Sequence, residues 1–169
     1  KYQNKNIFIF GGGDSALDWT VELSKIAKSI SLVHRRDVFR GAQHTEEMMR
    51  NLVKDGKVNL LTPYLIDSII GDDCVTKVSL KNFESNEIET HDADELIFLF
   101  GLNKKLGPIL EWDLGLNGKK ISVNTENYQT NKEGIFAVGD INDYPGKLDL
   151  ILSGFHETTL AVQEAYKRI

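Results

Sequence analysis

The chain has 169 residues, 41% hydrophobic and 27% charged, an ordinary balance for a water-soluble globular protein with room for a sizeable core. Its net charge of −5 argues against nucleic acid as the main partner, and the single Cys74 excludes a disulfide framework or a C-x-x-C pair within these residues. The longest unbroken apolar run, Leu96-Ile97-Phe98-Leu99-Phe100, is far too short to span a membrane, the N-terminus carries no signal-peptide apolar region, and the expected location is cytoplasmic.

The first element in the chain is the apolar strand Ile7-Phe8-Ile9-Phe10, and it runs into Gly11-Gly12-Gly13-Asp14-Ser15-Ala16. This is G-x-G-x-x-A at a strand-to-helix junction, a pattern with a physical use. Gly11 makes the tight turn, Gly13 lets the backbone approach a pyrophosphate, and Ala16 allows close helix–strand packing. Ala16, Leu17, Thr20, Leu23, Ile26 and Ala27 recur at helical spacing, which predicts the helix that follows. A second strand, Ser31-Leu32-Val33, ends in His34-Arg35-Arg36, about twenty residues after the turn. An acidic residue there would accept a hydrogen bond from a ribose 2′-hydroxyl and select NAD. A guanidinium fork suits a 2′-phosphate instead. The reading is a site for NADP(H) rather than NAD(H), built from Gly11, Gly12, Gly13, Asp14, Ser15, Ala16, His34, Arg35 and Arg36.

Thr45 to Val53 predicts a short helix with Thr45 as its N-cap and Asp55-Gly56 as its end. Val58–Leu61 predicts a buried strand. Tyr64–Ile70, Cys74–Phe83 and Glu87–His91 predict three more, separated by turns at Gly71-Asp72-Asp73 and Ser85-Asn86. Glu95–Phe100 suits a central parallel strand, stopped by Gly101. The sum is β-α-β-α-β, a three-strand antiparallel excursion and a last strand: an α/β, three-layer Rossmann-like NADP(H)-binding domain with an antiparallel meander. The polar passage Asn103-Lys104-Lys105-Leu106-Gly107-Pro108 marks a boundary, so residues 1–103 form the first domain and 104–169 part of a second. The second is expected to hold a short strand at Ile121–Val123, a strand at Ile135–Val138, and a helix from Ser153 to Lys167.

His44 and His91 have no partner ligands at metal-binding spacing, so no metal is expected. Glu46-Glu47 and Asp72-Asp73 read as a solvated helix start and a turn, His156 as a surface or capping residue, and Trp19 and Trp112 as packing residues. No side chain stands out as an acid, base or nucleophile.

The chain resembles the flavoprotein disulfide reductase superfamily, and within it the thioredoxin-reductase-like ferredoxin–NADP⁺ reductases. The resemblance rests on Gly11–Trp19, on Val33–Arg40, on Gly134-Ile135-Phe136-Ala137-Val138-Gly139-Asp140-Ile141, on Leu106–Ile109 with Trp112, and on Gly146–Phe155. It implies that Arg40 joins Arg35 and Arg36 on the 2′-phosphate and that Gly101 lies along the NADP site. Gly139, Asp140, Ile141 and Lys147 would then contact FAD, with Asp140 accepting a hydrogen bond from the ribityl chain. Where that group usually has alanine after the last arginine, this chain has Gly41. The implied activity passes hydride from NADPH to FAD and single electrons on to ferredoxin or flavodoxin, or runs in reverse. A homodimer of the full-length protein is implied, with no nucleic acid or membrane partner. Residues 104–169 would be the C-terminal portion of a split, incomplete FAD-binding domain, and the chain a fragment, inactive alone, that binds NADP(H) without holding FAD. The alternatives are a thioredoxin-reductase-type flavoprotein and a non-catalytic NADP(H)-binding module.

Overall fold

A computed structural model describes residues 1–102 and 105–169. They form two compact units whose division falls after Leu102. Asn103 and Lys104, where the boundary is expected, lie outside the described residues.

The first unit is organised by alternation along one strand. β1 (Asn6–Phe10) pairs in parallel with β2 (Ser29–Val33) on one side and β7 (Glu95–Phe98) on the other. β3 (Val58–Leu61) adds to β2, giving the order β3-β2-β1-β7. Ile7 and Ile9 point to a core shared with α1 (Asp14–Leu23) and α2 (Gln43–Lys54), where Leu17, Ile30, Leu32 and Met49 are buried. Phe8 and Phe10 point the other way, onto Val78 and Leu80 of the antiparallel meander and Ala93 just after it. That meander is β4 (Tyr64–Gly71), β5 (Val75–Asn82) and β6 (Ile88–Asp92), with β5 in the middle. Two pairs of residues out of phase on one strand thus create a helix–sheet–sheet sandwich. Full burial of Ile7, Ile9, Leu17, Ile30 and Leu32 contributes roughly 1.5–3 kcal/mol each. A helix cap is worth about 1 kcal/mol, so packing decides where α1 sits, and no side chain caps it.

Several boundaries move for identifiable reasons. The regular part of α1 stops at Leu23, short of Ala27. Ser24 Oγ donates to the Val21 carbonyl at 2.8 Å, and Lys28 N donates to the Lys5 carbonyl at 3.0 Å, turning the chain toward β2. α2 begins at Gln43 rather than Thr45 because the preceding Ala42 is held by a distant carboxylate (below). Trp19 and Trp112, read as packing residues, are 48% and 54% exposed.

The second unit is built on small ladders. β9 (Lys120–Ser122) pairs antiparallel with β8 (Leu116–Asn117) and parallel with β10 (Asn142–Asp143), over a core of Leu114, Ile121 and Ala137. The expected strand at Ile135–Val138 is not a ladder strand. Its backbone groups turn back on the chain before it, Thr130 N donating to Ile135 O at 2.9 Å and Ala137 N to Tyr128 O at 3.0 Å, with one isolated bridge between Gln129 and Phe136. Short 3₁₀ turns lie at Gly107–Trp112 and Gly139–Ile141, and α3 (Ile151–Tyr166) closes the unit. Among the described residues no helix is long and apolar enough to cross a membrane.

Candidate functional site

At the C-terminal edge of the parallel sheet, each glycine of the turn answers a different demand. Gly11 has φ +155°, and a Cβ there would stand 2.4 Å from the Leu99 carbonyl oxygen and 3.0 Å from Ala16 Cβ. Strand β7's continuation and the first turn of α1 therefore both exclude a side chain at 11. A Cβ on Gly12 would stand 2.4–2.7 Å from the His34 imidazole. A Cβ on Gly13 would meet no protein atom within 4 Å. Nothing in the fold requires glycine at 13, and its bareness leaves open space at the N-terminus of α1, where orphan amides and the helix dipole favour an anion.

The arginine loop is bonded to that turn. Arg40 N donates to the Gly12 carbonyl at 2.7 Å, and Ala42 N donates to Asp14 Oδ1 at 2.7 Å. Gly41 lies between these bonds, where a Cβ would stand 2.5 Å from Leu17 Cδ1 and 3.3 Å from Asp14 backbone. Asp14 does two things from one position: it occupies the first turn of α1, favourable for the dipole, and it straps the loop down. His34 leaves β2 with its amide donating to Leu61 O at 3.0 Å and its carbonyl accepting from Tyr64 N at 3.1 Å. Its ring packs 5.4 Å from that of Phe39. Burial first, then the charges of Arg35, Arg36 and Arg40, hold its pKa below the usual 6.5, so the imidazole is neutral near pH 7.

Arg50, nearby, is paired with Glu46 at 2.8 Å and Asp37 at 3.5 Å. Among the described residues no carboxylate forms a salt bridge with Arg35, Arg36 or Arg40. Arg35 and Arg36 line an open cleft of about 510 Å³ with Asp37, Val38, Thr62, Pro63, Phe83 and Glu84. The structure thus brings Gly11–Ala16, His34 and Arg40 together through bonds and contacts. It places Gly101 (φ +82°) three residues past the end of β7, the strand that neighbours β1.

In the second unit, Gly139 (φ +77°), Asp140 and Ile141 form a single 3₁₀ turn that leads into β10. What organises it is Glu157, whose side chain is 0% exposed. Its Oε2 accepts from Gly139 N at 2.7 Å and Asn142 Nδ2 at 2.8 Å, while Oε1 accepts from Tyr144 Oη at 2.9 Å and Lys147 Nζ at 2.5 Å. Lys147's side chain is only 3% exposed, so its ammonium belongs to this pair. Burial alone pushes the Glu157 carboxyl up, but the hydrogen bonds from Lys147, Gly139, Tyr144 and Asn142 outweigh it and hold the pKa below the usual value. Burial and the same carboxylate push the Tyr144 hydroxyl well up, keeping it a donor. A Cβ on Gly154 would approach Gly139 Cα to 3.4 Å, so helix and turn touch closely.

Sequence reasoning missed Glu157. The signal was its place in line with the small residues Gly154 and Ala161, at spacings of three and four along α3, where Glu157 and Ala161 are buried. The apolar Ile151, Leu152, Phe155 and Val162 of the same helix are exposed instead. Among the described residues no group of three or more His, Cys, Asp or Glu side chains could hold a metal ion.

Comparison with known proteins adds the family. Residues 1–165 match the model of the family described as pyridine nucleotide-disulphide oxidoreductase. The chain is 48% identical over 166 residues to a ferredoxin–NADP reductase of Pelagibacter ubique, covering 98% of this chain and 48% of that protein. It is 47% identical over 170 residues to the ferredoxin–NADP reductase of Flavobacterium psychrophilum, again covering 48% of the relative. The chain therefore spans about half the length of the relatives it matches. Among solved structures, Lactococcus lactis thioredoxin reductase superposes with a TM-score of 0.80 at 27% identity, over 98% of this chain and 53% of that one.

Proposed function

The chain belongs to the pyridine nucleotide-disulphide oxidoreductase family, and from that premise we propose that it serves a ferredoxin–NADP⁺ reductase, a flavoprotein that moves electrons between NADP(H) and ferredoxin or flavodoxin. The observation that carries this reading is the arginine loop: three guanidiniums with no salt-bridge partner among the described residues, on a loop strapped to a glycine turn by the Arg40–Gly12 and Ala42–Asp14 bonds. Ferredoxin enters through the relatives' names.

In this reading the first domain, residues 1–103, takes NADP(H). The amides of Gly11–Ala16 hold the pyrophosphate, and the bare Gly13 gives it room. Arg35, Arg36 and Arg40 hold the 2′-phosphate, each as a charge-assisted donor, with neutral His34 wedged against Gly12 to keep the arginines' loop at its distance. Gly101 borders the same edge. Residues 104–169 contribute to the FAD site through Gly139, Asp140 and Ile141, with Lys147 acting on it through Glu157. FAD, when bound, supplies the exchange between a hydride and single electrons. The residues of this chain bind and orient; none of them needs to exchange a proton. The protein is taken as cytoplasmic and as a homodimer.

Titration of the full-length protein with NADPH and NADH, together with NADPH-dependent reduction of ferredoxin, tests the reading. Selective NADPH binding with ferredoxin reduction is the expected result. Equal affinity for both dinucleotides defeats the cofactor assignment. The fold shared with thioredoxin reductase at a TM-score of 0.80 supports one competing reading. Reduction of thioredoxin in place of ferredoxin in the same assay would establish it.

A further inference from the structure

We propose that Glu157 is the positioning residue of the flavin loop: from α3 it gathers Gly139, Asn142, Tyr144 and Lys147 onto one buried carboxylate and so fixes the backbone that presents Asp140. This rests on the reading of Gly139-Asp140 as a flavin contact and adds to it a residue that touches no cofactor.

Four donors from a nine-residue stretch, 139 to 147, converge on two oxygen atoms. They are of three kinds: a backbone amide, two neutral side-chain donors and an ammonium. Only an ionised carboxylate offers enough acceptor sites for all of them within one side chain. The arrangement divides the work. Oε2 takes the turn itself through Gly139 N, and the strand after it through Asn142 Nδ2, which also donates to the Ala137 carbonyl at 3.0 Å. Oε1 takes the returning limb through Tyr144 and Lys147. Gly139 has a left-handed φ of +77° and is followed at once by Asp140. Holding the amide of 139 therefore sets the direction in which the next residue leaves the turn. Around the cluster the ring of Tyr128 packs 5.6 Å from that of Tyr144, and the Lys147 ammonium also lies 5.4 Å over the Tyr144 ring. The carboxylate is matched by one cation and buried, so its strength is not shared with solvent.

Two double variants of the full-length protein separate the acceptor from the ion pair. Both remove the charges, and replacing a buried pair by apolar groups of similar volume is often tolerated by the fold. Glu157→Leu/Lys147→Met removes the acceptor of Gly139 and Asn142. Glu157→Gln/Lys147→Met keeps an amide oxygen for them. The first should raise the FAD dissociation constant at least about tenfold and the second by less than about threefold, with NADP⁺ affinity unchanged in both. Equal FAD affinity in parent and both variants, or an equal loss in both, overturns the proposal. If the Leu/Met protein does not fold, Tyr144→Phe removes a single hydrogen bond to Oε1 and should weaken FAD about threefold. No change there overturns the proposal as well. A full-length parent that binds no FAD at all defeats the reading beneath, whatever the variants do.

Discussion

In the first unit the charges of the site stand at the surface, over a turn shaped by steric contact. In the second the loop is gathered by hydrogen bonds onto a buried charge. Arg35, Arg36 and Arg40 have no carboxylate partner among the described residues, on a turn shaped by contacts that leave no room for a Cβ at Gly11 or Gly12. Gly139 has open space where its Cβ would be, and its amide is held by a hydrogen bond to Glu157. The difference shows two ways of building a loop. One excludes alternatives by steric contact and leaves its charges at the surface. The other spends its charge internally, on the protein.

The largest expected effect tests the second arrangement. Glu157→Ala leaves the Lys147 ammonium buried and unpaired, which costs about 3–5 kcal/mol. Chemical denaturation should show that loss, while an NADPH titration below the transition should not change. A companion measurement is acid unfolding. Glu157 titrates below its ordinary value of 4.5 in the native state. Its contribution is therefore fully present above pH 4.5 and lost as pH falls through the lower native value, because the unfolded chain takes up the proton first. Glu157→Gln should flatten that part of the stability profile. If it does not, the carboxylate is not the acid-labile group.

The first unit should respond through affinity rather than stability. Arg35→Ala combined with Arg36→Ala should weaken NADPH by about a hundredfold and leave NADH unaltered; calorimetric titration of both dinucleotides reads the difference. An equal loss for NADH would mean that the arginines shape the loop instead of meeting a phosphate. Next in size is Gly12→Ala, which drives a methyl into the His34 ring and should cost about 1–3 kcal/mol of stability, read from the thermal midpoint. The smallest change is Asp14→Ala. It removes the strap to Ala42 and an acid from the helix start, at a cost of about 1 kcal/mol. Hydrogen exchange should find the Ala42 amide less protected.

The parallel sheet and the meander were legible because their signals are local: Ile7–Phe10 and Leu96–Phe100 are apolar runs, though the last strand ends at Phe98, and the glycine turn and the arginine cluster are contiguous in sequence. The residues proposed for NADP could be named, but the bonds joining them could not. Arg40 N to Gly12 O spans twenty-eight positions and carries no side-chain signal. β8 and β10, two residues each, are too short to impose a period. The run Ile135–Val138 has the composition of a strand, yet its hydrogen bonds return to Tyr128–Thr130. Composition reports burial, not the identity of the partner. Glu157 was the hardest to see, because a glutamate in a helix reads as solvated until the loop that supplies its four donors is known to fold against it. Lys147 was recognisable as special, but its distinction lies in facing inward.

The contact of Gly11 with the Leu99 carbonyl has a consequence for the order of assembly. β1 meets β2 across a short connection, but its other neighbour arrives late: Asn6 N and Asp94 Oδ2, bonded at the start of the β1–β7 pair, are 88 positions apart. Closing so long a loop is entropically slower than closing the β1–β2 and β2–β3 units. A chain emerging from the ribosome carries the whole glycine turn and the arginine loop well before it carries Leu99. The turn acquires its ceiling only when the meander has been traversed and the last strand has docked.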